Sequence, residues 1–113
     1  MNSWFLLALA ILLEVAGTTS MKLSDGMQKL WPTVLIFLFY ALAFTLMPFV
    51  MKKIEMSTVY AIWTGAGTVI VTLIGIMYFS ESSNPMKLAS IALIGAGVVG
   101  LHLAERSVEG GIG

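Results

Sequence analysis

The 113-residue sequence predicts an all-α membrane protein of four transmembrane helices. Three observations lead there. Hydrophobic residues make up 58% of the chain and charged residues 11%, with a mean hydropathy of +0.96, whereas soluble globular domains carry roughly 25% charged residues. The apolar residues gather into four runs, each close to the ~20 residues that a helix needs to cross a bilayer core about 30 Å thick. None of the runs shows the period-two alternation of barrel strands, which leaves helices as the structure that satisfies every backbone group in lipid.

The first helix is expected over residues 4–21. It is closed by Lys22 and by Ser24-Asp25-Gly26, whose Asp-Gly step signals a turn. Residues 1–3 are Met-Asn-Ser, without the basic segment of a signal peptide, and no small-residue cleavage site follows, so this run reads as a retained helix. The second helix, 32–51, is introduced by Trp31-Pro32, an interfacial aromatic before a proline suited to a first turn, and it ends at Lys52-Lys53. Pro48 removes one backbone donor there and invites a bend. The third helix, 57–79, lies between Glu55 and Glu81. Ser80 to Pro85 reads as a loop, because serine, asparagine and proline favour turns. The fourth helix covers 86–104, and residues 105–113, with Gly110-Gly111, form a frayed tail. All 113 residues belong to a single four-helix domain.

With four spans both termini share a side. Lys52, Lys53 and Arg106 fall on that side and Lys22, Lys29 and Lys87 on the other, so the positive-inside rule selects neither orientation. A few charges tie by chance; insertion in both orientations gives the same tie and permits an antiparallel dimer. Zero formal net charge offers no phosphate-binding surface, so no nucleic acid partner is expected. Without cysteine and with one histidine, the chain has neither thiolate ligands nor a histidine cluster, and neither a metal nor a cofactor is expected. No nucleophile–base pair can be assembled, which argues against an enzyme.

One residue breaks the apolar pattern at depth. Glu14 stands near the middle of the first run, with no basic residue at its level. An ionised carboxylate there costs at least ~2.5 to 3.5 kcal/mol, so Glu14 is expected to hold a proton, meet a cation or face water. Ala10, Gly17 and Thr18, at i−4, i+3 and i+4, leave little bulk beside it, which suits either close helix packing or a ligand cavity. In the third run Tyr60 and Trp63 share a helix face, and aromatic faces attract cations by about 2 kcal/mol or more once water is excluded. Tyr40 lies midway along the second run. Gly65-Ala66-Gly67 weakens the third helix locally and makes it the expected moving part.

Gly95-Ala96-Gly97-Val98-Val99-Gly100 matches the dinucleotide pattern GxGxxG, but inside an apolar span with no preceding strand it reads as a close helix contact between subunits, together with Ser90. His102, near the end of that span, reads as interfacial.

Leu13 to Lys22 (LEVAGTTSMK), Trp31-Pro32 and Tyr60 to Gly67 (YAIWTGAG) together resemble the small multidrug resistance exporters, and the similarity runs from Trp4 to about Arg106. The resemblance implies a proton-coupled antiporter that works as an antiparallel homodimer in the cell membrane. It implies that Glu14 binds proton or cation, that Tyr60 and Trp63 line the site, that Tyr40 positions substrate, and that Gly65 to Gly67 bends. The family's guanidinium exporters have tryptophan where this chain has Gly17 and lack the tyrosine seen here as Tyr40. Gly17-Thr18 with Tyr40 thus resembles the branch exporting quaternary ammonium and polyaromatic cations. The alternatives are a guanidinium or polyamine exporter, one half of a heterodimeric pair, or a non-transporting membrane subunit. Ser90, Ala66, Thr45 and Pro48 depart from the family's usual residues and bear on substrate range and dimer geometry.

Overall fold

A computed structural model describes the backbone of residues 2–109 and the side chains of residues 2–105. It contains four helices among those residues: α1 (Ser3–Leu23), α2 (Leu30–Val50), α3 (Met56–Tyr78) and α4 (Pro85–Glu109). All four are long and apolar enough to cross a membrane. They form two compact units, Met1–Lys53 with α1 and α2, and Ile54–Gly113 with α3 and α4.

In the first unit Asn2 caps α1, its Oδ1 accepting from Trp4 N–H at 2.8 Å. The helix outlasts its apolar run because Lys22 suits the negative end of the helix dipole. Ser24 then organises the return to α2. Its N–H donates to Ser20 O, its hydroxyl donates to Met21 O and accepts from Met27 N–H, and its carbonyl accepts from Gln28 and Lys29. Asp25, Gly26 and Met27 all have positive φ (51°, 68° and 68°), so the Asp-Gly turn is a run of three left-handed residues. Helix α2 begins at Leu30, two residues before the expected start. Pro32 is tolerated as its third residue because first-turn N–H groups have no intrahelical acceptor. The helix continues past Pro48 to Val50. Leu7, Ile11 and Val15 on α1 and Ala43, Met47 and Val50 on α2 are buried at spacings of three and four.

In the second unit α3 ends where Gly75 O accepts from both Phe79 N–H and Glu81 N–H, with Ser80 in the left-handed region at φ 55°. The carboxylate of Glu81 occupies the place where a Cβ at Gly75 would lie. Asn84 caps α4 through Oδ1 and the N–H of Lys87, 2.9 Å apart, and Pro85 takes the first helical position. Helix α4 runs on to Glu109, so residues 105–109 are helical where a frayed tail is expected from the sequence. The cause is partly visible at Glu105, whose side chain is buried and bonded to Glu55 N–H. Gly110 and Gly111 lie outside the described residues.

Large apolar side chains such as Phe37, Phe44, Leu73, Met86 and Leu93 are exposed on the helices. In water such a surface would drive association. Against lipid tails it costs nothing, and helix pairing rests on close packing instead.

Candidate functional site

Glu14 stands next to the midpoint of α1 and is half-buried. Apart from Lys22 in the last turn of α1, helices α1, α2 and α3 carry no basic residue. One helical turn on, Thr18 donates its hydroxyl to Glu14 Oε2 at 2.7 Å. The same Oγ1 lies 2.5 Å from the phenolic oxygen of Tyr40, so α2 reaches the carboxylate through Thr18. Tyr40 OH is also 3.9 Å from Met21 Sδ, within reach of a sulfur hydrogen bond. Its ring is tilted against Phe44, with centroids 6.2 Å apart.

Gly17 makes this approach possible. A Cβ at that position would lie 3.2 Å from Tyr40 Cε2, 3.3 Å from Cδ2 and 3.4 Å from Phe39 Cβ. The absent side chain is therefore the seat of the Tyr40 ring. Ala10, one turn before Glu14 on the same face, is wholly buried.

The second unit holds the other aromatic pair. Tyr60 and Trp63 meet edge to face, with centroids 6.1 Å apart and an interplanar angle of 77°. Such a pair contributes about 0.5 to 1.5 kcal/mol beyond its buried area. Trp63 is buried and Tyr60 is 60% exposed, so the phenol is the accessible member. Thr64 and Thr68 continue the exposed face, each hydroxyl bonded to the carbonyl four residues back, Tyr60 O and Thr64 O.

Gly65 is pressed against α4. A Cβ there would lie 2.6 Å from Val98 Cγ2 and 3.4 Å from Ile94 Cγ2. Helix α3 passes unbroken through Gly65 and Gly67. Ser90 and Gly97 are exposed on α4; Ser90 bonds its own Met86 carbonyl at 2.8 Å, and a Cβ at Gly97 would meet nothing within 4 Å. This face of α4 is open to a close helix contact.

Two residues of this arrangement escape the sequence reading. Met21 carried a signal, since it follows Glu14 by seven residues and Thr18 by three and so shares their face. Val98 carried none, because nothing along one helix shows which residue of another it meets.

Comparison with known proteins agrees with the architecture. The pattern of the family described as Small Multidrug Resistance protein matches residues 2–94. An uncharacterized membrane protein of Bacillus subtilis (strain 168), YvaE, is 48% identical over 104 residues, covering 92% of this chain and 87% of its own length. A guanidinium exporter of Escherichia coli (strain K12) is 40% identical, covering 92% and 99%. A multidrug resistance protein of Bacillus licheniformis, EbrA, is 39% identical over 101 residues, covering 89% and 96%.

Proposed function

This chain belongs to the small multidrug resistance family of multi-pass membrane transporters, and from that premise we propose that it exports lipophilic and quaternary ammonium cations in exchange for protons. The observation that carries this reading is the carboxylate of Glu14 at mid-helix, bonded to the hydroxyl of Thr18, on a helix whose basic residue, Lys22, follows two turns later. A charge in that position needs a counter-charge, and a proton or a cation from solution supplies it. The two loads exclude each other electrostatically, so a site that changes sides only when loaded couples their fluxes.

The working unit in this reading is an antiparallel homodimer in the cell membrane, with two Glu14 side chains forming one site and the open α4 face around Gly97 forming the contact. Tyr60, exposed beside Trp63, presents an aromatic face to the cation. Tyr40, Thr18, Gly17 and Ala10 shape the site around Glu14. Gly65 and Gly67 supply the bend by which α3 exchanges sides.

The similarity to a guanidinium exporter supports a second reading, guanidinium export by the same architecture. The seating of Tyr40 against Gly17 favours the quaternary ammonium reading, because the tryptophan expected at position 17 of a guanidinium exporter would claim the volume of that ring.

The test uses purified protein in liposomes. Wild-type protein releases protons on binding tetraphenylphosphonium and transports it in the direction opposite to protons flowing down an imposed gradient, and Glu14→Gln does neither. Persistence of both activities in Glu14→Gln removes the proposal. Tighter binding of guanidinium than of tetraphenylphosphonium selects the second reading.

A further inference from the structure

Glu14, Thr18, Tyr40 and Met21 form a chain of contacts whose hydrogen-bond directions follow from the number of protons each group holds. Each hydroxyl has one proton to give, an ionised carboxylate has none, and a thioether only accepts. When Glu14 is ionised, Thr18 gives its proton to Oε2 at 2.7 Å. Thr18 then has nothing to donate at its 2.5 Å contact with Tyr40, so Tyr40 is the donor there. The Tyr40 proton is thereby used, and Met21 Sδ, 3.9 Å away, receives none.

With a proton on Oε2 every step reverses. Glu14 donates to Thr18, Thr18 donates to the phenolic oxygen, and Tyr40 is left with a proton for which Met21 Sδ is the acceptor in reach. No proton changes oxygen in this reversal; each hydroxyl rotates about its own C–O bond. The ionised state makes two hydrogen bonds along the chain and the neutral state makes three.

We propose that Met21 is a positioning residue for proton loading: its thioether terminates a hydroxyl chain that points toward Glu14 when the acid is ionised and away from it when the acid is protonated. This rests on the reading that Glu14 exchanges protons for cations. A thioether suits the task because it cannot donate, so it joins the chain in the protonated state alone. A bound cation keeps Glu14 ionised and keeps the Tyr40 hydroxyl donating to Thr18 Oγ1. The load on α1 is thus written into the orientation of a phenol on α2. Tyr40 is the titratable side chain that faces Glu14 from α2; the charged residues nearest Glu14 in sequence, Lys22 near the end of α1 and Asp25 in the turn after it, stand two turns or more beyond it.

The experiment is a pH titration of the dimer in bilayers without substrate, following the 13C signals of Glu14 Cδ and Tyr40 Cζ, the latter assigned by Tyr40→Phe. Tyr40 Cζ moves with the same midpoint as Glu14 Cδ, while Tyr60 and Tyr78 do not follow it. Met21→Leu, close in volume, lowers that midpoint by ~0.5 pH unit, about a threefold loss of proton affinity, and shrinks the excursion of Tyr40. In a Tyr40→Phe background Met21→Leu has no further effect. A Tyr40 signal that stays flat through the Glu14 titration overturns the proposal, as does a Met21→Leu effect of equal size with and without the phenol. If the exporter reading alone is wrong, these signals still couple while tetraphenylphosphonium releases no proton.

Discussion

The ring of Tyr40 lies against the bare backbone of Gly17, with Cε2 3.2 Å from where a Cβ would stand. One helix has given up a side chain so that an aromatic of the next can bring its hydroxyl to Thr18, 2.5 Å away, and through it to Glu14. Bulk at 17 and a phenol at 40 are alternatives for one volume.

That exclusion makes Gly17→Trp diagnostic. The indole displaces the Tyr40 ring, and overpacking of this kind costs about 1 to 3 kcal/mol of stability. Tetraphenylphosphonium affinity falls by about tenfold or more as Tyr40 leaves the Thr18 hydroxyl, since each 1.4 kcal/mol is a factor of ten. Adding Tyr40→Ala to Gly17→Trp restores thermal stability without restoring the affinity. Unfolding curves and calorimetric titration of the three variants check this, and an unchanged affinity in Gly17→Trp contradicts it.

The proposed competition of proton and cation for Glu14 sets the sign of the pH dependence. With protons on the carboxylates at low pH, cation affinity rises with pH and levels off once both acids of the proposed dimer are ionised. On the rising limb the logarithm of affinity gains about one unit per pH unit for each proton displaced, so a slope near two reports that both Glu14 side chains give up protons to one cation. Isothermal titration at five or six pH values reads the slope. A pH-independent affinity contradicts shared occupancy.

The four helices were legible because a bilayer imposes a length on apolar runs, and Glu14 was legible because a lone acid in such a run is costly. Neighbours along one helix, Glu14 with Thr18 or Tyr60 with Trp63, follow from spacing alone. What was hidden depends on two helices at once. That Gly17 receives Tyr40, or Gly65 receives Val98, needs the register of the pair, which composition does not encode. Glu105 was hidden for a related reason: it follows the apolar stretch and resembles the start of a solvated tail until α3 is placed beside it.

Gly65 and Val98 separate two roles for the glycine. If Gly65 serves α4 as a packing seat, Gly65→Ala forces a methyl to within 2.6 Å of Val98 Cγ2 and destabilises the α3–α4 pair by about 1 to 3 kcal/mol. Val98→Ala in the same chain removes the obstructing carbon and recovers most of that loss, a coupling that a double-mutant cycle measures. If Gly65 also serves as a bend, the double variant is stable yet exchanges sides more slowly than wild type, because alanine stiffens the helix by nearly 1 kcal/mol. Thermal unfolding reads the first role and line-shape exchange in NMR the second. Failure of Val98→Ala to rescue stability contradicts the packing seat.

Glu105 closes the other end of the same pair. The residue is 4% exposed, and its Oε2 accepts from Glu55 N–H, 3.4 Å away, at the cap of α3, a helix whose own cap residue makes no side-chain bond. Unsatisfied donors and the positive end of the helix dipole favour an anionic acceptor here. Glu105→Ala removes the acceptor and leaves a void, which costs about 1 to 3 kcal/mol; Glu105→Gln keeps a carbonyl oxygen in place and costs less. The loss is local, so hydrogen exchange is the sensitive measure. Val59 N–H, bonded to Glu55 O at 2.9 Å, exchanges roughly tenfold to a hundredfold faster in Glu105→Ala, while the amides of α1 keep their protection. Equal acceleration in α1 would mean that Glu105 supports the whole fold and not the start of α3. An unchanged Val59 would mean that the contact contributes nothing to the helix.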